Sequence, residues 1–394
     1  MSILFSCKEE YKLNTDIVEL GSLTGPTNGT AINIDVENGG NTVLSWSPAK
    51  SADGGLVLYR VLFDKDGGDF SKPIYSLPSD NKGGTNSLTI SPVFLNIIAA
   101  SAGIEQLTTG KVIWTVEASS AFQSKAFSDH SDLVLTRPEG LAIFPKYMYI
   151  YGSATEVNEV SGGVAFKEII NELPTDNFAP GIFESITGLK GGEYYIADSN
   201  NPDSTINYYY INADGKIRSG NNPTTFNLPD GAYRVRMNLA AATISFEEMS
   251  DVQLYIFANN LTKANLTYVG NHTFEATDGN FTFLKPGDPE APGWLGWEEE
   301  RYRFRFMLDN VQSYIGGYHN EGMNASLVTG RTAFSVRPNG EEPAGFYNIY
   351  FHGENPPYWQ GAWKFADKYN GKSFKVRLVF DPKAPHYYHE FELN

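Results

Sequence analysis

The sequence predicts an all-β protein made of tandem β-sandwich domains. Period-two alternation and turn signals recur along almost the whole chain, and almost no segment carries helical periodicity. Glycine at 38 and proline at 21, beside 23 tyrosines and 25 phenylalanines, tilt the composition the same way. At 394 residues the chain exceeds one ordinary core, so about two to four domains are expected.

A hydrophobic share of 41% is enough to fill such cores. The net charge of −16 argues against a nucleic-acid partner, which calls for a basic face. The chain has a single cysteine, so it contains no internal disulfide and packing must hold the fold. There is no apolar run of about 18 residues that would span a membrane as a helix.

Residues 1–20 read as an anchor and a flexible tether. Leu4-Phe5-Ser6-Cys7 carries a large apolar residue three positions before the cysteine and a small one directly before it. Signal peptidase II reads that pattern in bacterial lipoproteins, and cleavage there would leave Cys7 to be acylated. Stable attachment takes more than one chain, since each buried methylene contributes only about 0.8 kcal/mol. Only Met1 to Ser6 precede Cys7, so the apolar segment of such a signal is expected upstream. The polar stretch that follows, from residue 8 to about 20, would reach about 45 Å when extended.

Residues 21–138 read as a first β domain. TVLSWSP (Thr42–Pro48) puts Leu44 and Trp46 on one face and Val43, Ser45 and Ser47 on the other. LVLYRVLFDKDGG alternates Tyr59, Val61 and Phe63 with Leu58, Arg60 and Leu62 before a glycine turn. KVIWTVEASS sets Trp114 and Val116 opposite Ile113 and Thr115. This order of strands resembles a fibronectin type III or immunoglobulin-like sandwich, and the missing cysteine pair favours the former. Pro138 to Pro145 read as a linker.

The remainder contains an internal repeat, expected as two modules at 139–248 and 249–394. YMYIYGSAT (Tyr147–Thr155) corresponds to VQLYIFANN (Val252–Asn260), and GEYYIAD (Gly192–Asp198) to ERYRFRF (Glu300–Phe306). DGAYRVRMNLAAATISFEEM (Asp230–Met249) corresponds to NGKSFKVRLVFDPKAPHYYHEF (Asn370–Phe391). The spacing between partners grows along the chain, so the second module carries insertions, mainly 286–300 and 336–367. A scaffold that keeps its strands and lengthens its loops tends to place function on those loops.

Four of the six tryptophans fall in this inserted region. Trp294 and Trp297 sit in KPGDPEAPGWLGWEEE, and Trp359 and Trp363, with Tyr358, in ENPPYWQGAWKF. Both segments are rich in proline and glycine, which places the rings on loops. A loop ring offers a flat apolar face that suits the C–H faces of a pyranose, with neighbouring polar groups taking the hydroxyls. Trp294, Trp297, Tyr358, Trp359 and Trp363 are therefore the candidate glycan-binding residues. Trp363 also reads as a core residue, since AWKFADKYNGK could form a short helix ending at Asn370-Gly371.

Other constellations carry less. Arg301, Arg303 and Arg305 share a strand face opposite Tyr302, Phe304 and Phe306, as a half-buried antiparallel strand requires. Asp64, Asp66 and Asp69 read as a hairpin turn in place of a calcium loop. Glu298, Glu299 and Glu300 invite a glycosidase reading, but neighbours in one loop give no reason for one to act as the acid. There is no G-x-S-x-G, P-loop or dinucleotide fingerprint, and no metal or cofactor is expected.

The lipobox LFSC, the run from LTGPTNGT through TVLSWSPA and YRVLFD to VIWTVEAS, and the pieces YIYGSAT, GIFESITGLKGGEYYIAD, GAYRVRMNLAAATI and ERYRFRF together resemble SusE/SusF-type surface glycan-binding lipoproteins. These belong to the polysaccharide utilisation loci of Bacteroidetes. The resemblance covers nearly the whole chain. It implies a fibronectin type III-like N-terminal domain followed by two SusE/SusF-type β modules. It also implies an outer-membrane lipoprotein that holds polysaccharide at the cell surface without catalysis. The implied partners are a TonB-dependent SusC-like transporter and a SusD-like lipoprotein, with Glu9 and Glu10 as part of the export signal. Two other classes stay open: a structural or adhesive spacer, and a glycoside hydrolase. The module at 139–248 has no tryptophan, so a counterpart site there is not expected, and Tyr208, Tyr209 and Tyr210 read as strand residues.

Overall fold

Strands form where the alternation places them. In the Thr42–Trp46 strand Leu44 and Trp46 are buried while Val43 faces solvent. In the Leu58–Lys65 strand Tyr59, Val61 and Phe63 are buried. The computed structural model describes residues 14–121, 123–169, 180–317, 337–340, 342, 345–354 and 361–394; Cys7 and the first part of the tether lie outside these. The chain divides into two compact units, Met1–Phe144 with Leu239–Ala242, and Pro145–Asn238 with Thr243–Asn394.

The first unit is a sandwich. Leu23–Gly25, Thr42–Trp46 and Ser87–Ile90 make a three-stranded sheet. The larger sheet runs Thr30–Asn33, Ser131–Thr136, Thr109–Ser120, Leu58–Lys65, Tyr75–Pro78, with its first pair parallel. Trp46 from one sheet and Trp114 from the other share a single apolar core, and the Trp46 and Tyr59 rings meet edge to face at 5.7 Å. Such packing substitutes for the missing disulfide. The stretch expected as tether through residue 20 already contains a strand, Ile17–Glu19, paired with Lys50–Ser51. Asp64 turns its carboxylate onto the amides of Lys65 and Phe70, as a turn residue does.

One α-helix, Pro92–Ser101, interrupts this unit. Its signals are local: Ser91 caps the N-terminus, Pro92 follows at the first position, and Gly103 takes a φ of +83° just past the end. Its apolar run has no clear period, which hides it from a periodicity reading. Asn96 on the helix is fully buried and accepts from the Arg137 guanidinium at 2.9 Å, which also donates to the Ile104 carbonyl.

The second unit holds both repeats. In the first, Tyr149–Tyr151 pairs with Gly192–Ala197; in the second, the end of Thr243–Ile256 pairs with Arg301–Leu308. The hairpin Gly231–Asn238 to Thr243–Ile256 has its counterpart in Lys372–Val379 to Tyr388–Leu393. A further equivalence lies in Ile182–Leu189 and Thr273–Phe281, each the outer neighbour of its hairpin. In both repeats a glutamate on that strand stands directly across from an arginine: Glu184 from Arg236, and Glu275 from Arg377. Arg377 Nε lies 2.6 Å from Glu275, while Glu184 is shared between Arg234 at 2.7 Å and Arg236 at 3.3 Å.

The boundary expected at 248/249 falls inside the 14-residue strand Thr243–Ile256. Its first half closes the first repeat on Gly231–Asn238, and its second half opens the next repeat on Thr262–Gly270 and Arg301–Leu308. The two repeats are thus joined through a shared strand that runs across the expected boundary. Asp251, at φ +49°, marks the change of partners beside a bulge between Ser250 and Gln253.

Glu156 reinforces that joint. Its carboxylate accepts from Thr187 Oγ1 and the Gly188 amide in its own repeat, and from Tyr268 Oη and the Asn271 amide in the next, all at 2.5–2.9 Å. Burial works to raise this carboxyl, but the four hydrogen bonds, led by Tyr268, hold it below its ordinary value. Glu156 itself is exposed and of its four donors only Thr187 is buried, so replacing Glu156 by Ala is expected to cost about 1 kcal/mol in urea unfolding; a loss below about 0.3 kcal/mol would show the joint is held without it.

His389 sits in the core of the second repeat, with Nδ1 on the Tyr347 carbonyl at 3.0 Å and Nε2 on Tyr302 Oη at 2.8 Å. Burial pushes its pKa down to about 3. The unfolded chain therefore takes up this proton first as the pH falls below about 6.5, and stability drops by about 1.4 kcal/mol per pH unit until about pH 3. The loss in urea-unfolding free energy between pH 7 and pH 5 should be smaller by about 2 kcal/mol in His389→Gln; equal losses in the two proteins refute the assignment.

Candidate functional site

The insertion at 286–300 is a loop closed at its base. Leu284 and Glu299 form an isolated bridge with both amides donating across, at 3.0 and 2.9 Å. Above it Asp288 accepts from the Lys285 amide, and Glu290 ties the loop to Lys263 and, through its carbonyl, to the Asn259 amide group. Leu295 is buried in the core of the unit. A loop pinned at its base and by one inserted side chain keeps its shape despite its proline and glycine content.

That anchoring turns Trp294 and Trp297 outward. They are 53% and 49% exposed, against 1% or less for Trp46, Trp114 and Trp363. Their rings lie 5.9 Å apart at 52°, so the pair forms a bent aromatic surface. Trp297 Nε1 donates to Glu299 Oε2 at 2.7 Å, which fixes the ring's direction. Glu299 is fully buried and also accepts from Arg301, through the backbone amide at 3.0 Å and Nη1 at 2.5 Å.

The next residue organises a second set of charges. Glu300 is fully buried and meets Arg337 and Lys364, each at 2.9 Å. Arg337 extends to Glu298 at 2.6 Å and Asp367 at 2.8 Å, and its guanidinium lies over the Phe283 ring. The Glu300 carboxylate first, then Glu298, hold that guanidinium well above its ordinary range. Beyond it a cleft of about 500 Å³ is lined by Pro338, Tyr347, Asp367, Lys368, Tyr369 and Glu390. The arrangement offers exposed indole faces, a locked ring and polar edges, and its cations Lys263, Arg301, Arg337 and Lys364 all face carboxylates.

Of the candidates from the sequence, Trp294 and Trp297 are brought together on the surface. Tyr358 and Trp359 lie outside the described residues. Trp363 is corrected: it is fully buried, donates Nε1 to the Phe346 carbonyl at 2.9 Å and stacks on Tyr302. The segment after it is a two-residue strand and a short 3₁₀ turn at Asp367–Tyr369. The strand pairs Trp363 with Tyr302, and that register turns the ring into the core. Residues Glu298 to Glu300 serve the loop's own ion pairs.

The arginine stripe is covered as well. Arg303 is 1% exposed and lies over the Phe257 ring. Arg305 lies over Tyr255 and donates to Gln253, Asn260 and Thr262. Stacking on aromatic faces lets Arg303 be buried and Arg305 half-buried where a solvent face was expected.

The model of the family described as SusE outer membrane protein matches residues 8–117. Among solved structures, SusF from Bacteroides thetaiotaomicron is similar at 10% identity and a TM-score of 0.28, covering 94% of this chain and 100% of that one. A search of curated proteins finds no match. Among the described residues no helix is long and apolar enough to cross a membrane.

The exposure of the tryptophan pair has a direct optical consequence. In Trp294→Phe/Trp297→Phe the share of emission quenched by acrylamide should fall, whereas Trp114→Phe should leave it nearly unchanged. An unaltered quenching curve in the double variant would mean that the loop is folded onto the protein in solution.

Proposed function

We propose, for a chain whose residues 8–117 match the SusE outer membrane protein family, a role as a non-catalytic surface protein that binds polysaccharide or oligosaccharide. The observation that carries this reading is the pair of half-exposed tryptophans, held by a buried carboxylate on a loop that the repeat inserts into its second copy. Preformed aromatic surfaces lose little side-chain entropy on binding. Because the neighbouring cations face carboxylates already, the surface suits an uncharged glycan. Trp359 and Tyr358 are proposed as further ring contacts.

Acylation at Cys7 would attach the chain to the outer membrane, facing outward. There it would pass glycan to a TonB-dependent SusC-like transporter with a SusD-like lipoprotein. Each contact would be weak, and repeated copies along one polymer would supply avidity. A spacer role would leave two large rings in water without a purpose, and a hydrolase role would need two facing carboxyls, where Glu299 and Glu300 are buried in ion pairs.

Affinity electrophoresis through gels containing soluble polysaccharides tests the reading. The wild type should be retarded by at least one neutral polymer, and Trp294→Ala or Trp297→Ala should weaken that retention by about tenfold. Retention that survives both substitutions together would remove these residues from the site; no retention by any polymer would end the binding proposal.

A further inference from the structure

The first repeat carries an aromatic face that its lack of tryptophan conceals. Its sheet runs Val164–Ala165, Tyr149–Tyr151, Gly192–Ala197, Tyr208–Ile211, Ile217–Ser219. One side buries Ile150, Tyr194, Ile196 and Tyr209. The alternation turns Tyr149, Tyr151, Tyr195, Tyr208 and Tyr210 to the other side, all partly exposed.

Register places these rings in two rows. Tyr151 stands opposite Tyr195, and the same pairing continued across the next strands reaches Tyr210 and then Arg218. Tyr149 and Tyr208 flank Ala197 in the neighbouring row. The Tyr151 and Tyr195 rings stack at 5.3 Å and 18°. Burial first, then Tyr208 and Tyr195 beside it, push the Tyr151 phenol up to about 12, so it remains a neutral donor at any physiological pH.

Two features define what such a face can take. Among the described residues none of these five hydroxyls has a hydrogen-bond partner in the protein, so each is open to donate and accept. The only aliphatic side chains between them are Ala165 and Ala197, with Glu193 and Arg218 at the margins. Tyrosine and arginine are also frequent in protein interfaces, so a second copy of the chain is the alternative occupant that the test below includes. A chain rich in hydroxyls with apolar C–H faces finds here what it needs, repeated at the spacing of neighbouring strands.

We propose that this tyrosine face is a second glycan-binding site, separate from the tryptophan loop and built on the sheet itself. The proposal rests on the glycan-binding reading of the chain and extends it to the repeat where no site was expected. Rigid rings on a sheet give a shallow, weak site, one that acts by adding a second hold on the same polymer.

The test compares four full-length proteins in affinity electrophoresis against an α-glucan, a mixed-linkage β-glucan, a galactomannan and an arabinoxylan. They are the wild type, Trp294→Ala/Trp297→Ala, Tyr151→Phe/Tyr195→Phe/Tyr210→Phe, and the five substitutions combined. Phenylalanine keeps each ring and removes only the hydroxyl, and circular dichroism confirms the fold. The tyrosine variant should bind about five- to tenfold more weakly than wild type with the tryptophans intact, and the combined variant should lose retention. Loss in the tyrosine variant with none in the tryptophan variant would support this site and remove the loop. Retention within about twofold of wild type in the tyrosine variant overturns the proposal while leaving the loop standing. So does a change in sedimentation without a change in retention, which would assign the face to a second copy of the chain. No retention of the wild type by any of the four overturns both.

Discussion

The second unit depends on one continuous strand. Thr243–Ile256 ends one repeat and begins the next, so neither can be moved without breaking a ladder of backbone hydrogen bonds. A strand that serves two partners in succession must change direction of pairing midway, and Asp251 with its adjacent bulge provides that change. Glu156 then closes the joint from the side, where four donors from both repeats converge on one carboxylate. Two ties of different kinds, a shared ladder and a carboxylate saturated with hydrogen bonds from both repeats, join the pair. Under the proposed role, with a polymer held at more than one point, a fixed distance between points is worth more than flexibility, because a matched span raises the effective concentration of the second contact.

Burial of charge near the loop follows the same logic at smaller scale. Glu299 and Glu300 are side by side and both fully buried, yet they face different partners: the first holds Trp297 and Arg301, the second Arg337 and Lys364. Glu299 sits in the bridge to Leu284 and Glu300 directly precedes the Arg301–Leu308 strand, so one pair of acids can brace the exposed ring and anchor the insertions behind it. Buried ion pairs of this kind contribute little net stability but tolerate only one arrangement. The loop gains a defined shape from them, which its glycines and prolines alone would not give it.

Much of this was legible from residues that report their own surroundings. Period-two runs located Leu44, Trp46 and Tyr59 in the first core, while Phe63 and Trp114 lie in stretches buried on both faces, Val61 to Asp64 and Val112 to Val116. The tryptophans of the insertions were harder, since Trp297 and Trp363 occur in segments of like composition. What separates them is a tertiary register, Trp363 across from Tyr302, which no local pattern encodes. The matched pairs Glu184–Arg236 and Glu275–Arg377 join strands far apart in sequence, and only the pairing reveals them as the same contact made twice. The module boundary expected at 248/249 falls in the polar run Glu247-Glu248-Met249-Ser250-Asp251. In the fold it is strand, because cross-strand neighbours satisfy the backbone regardless of side-chain polarity.

The two repeats spend equivalent surfaces differently. In the first, the strand pair Tyr149–Tyr151 and Gly192–Ala197 turns tyrosines outward. In the second, the corresponding pair turns Gln253, Tyr255, Arg303 and Arg305 the same way, and the guanidinium groups lie over the rings. With Tyr255 and Arg303 buried, that face of the second repeat presents no exposed ring, in contrast to the partly exposed tyrosines of the first. Its exposed rings had to come from somewhere else, and the inserted loop supplies them. One scaffold thus carries two different surfaces: guanidinium groups cover the sheet face of the second repeat, and its inserted loop exposes the tryptophans.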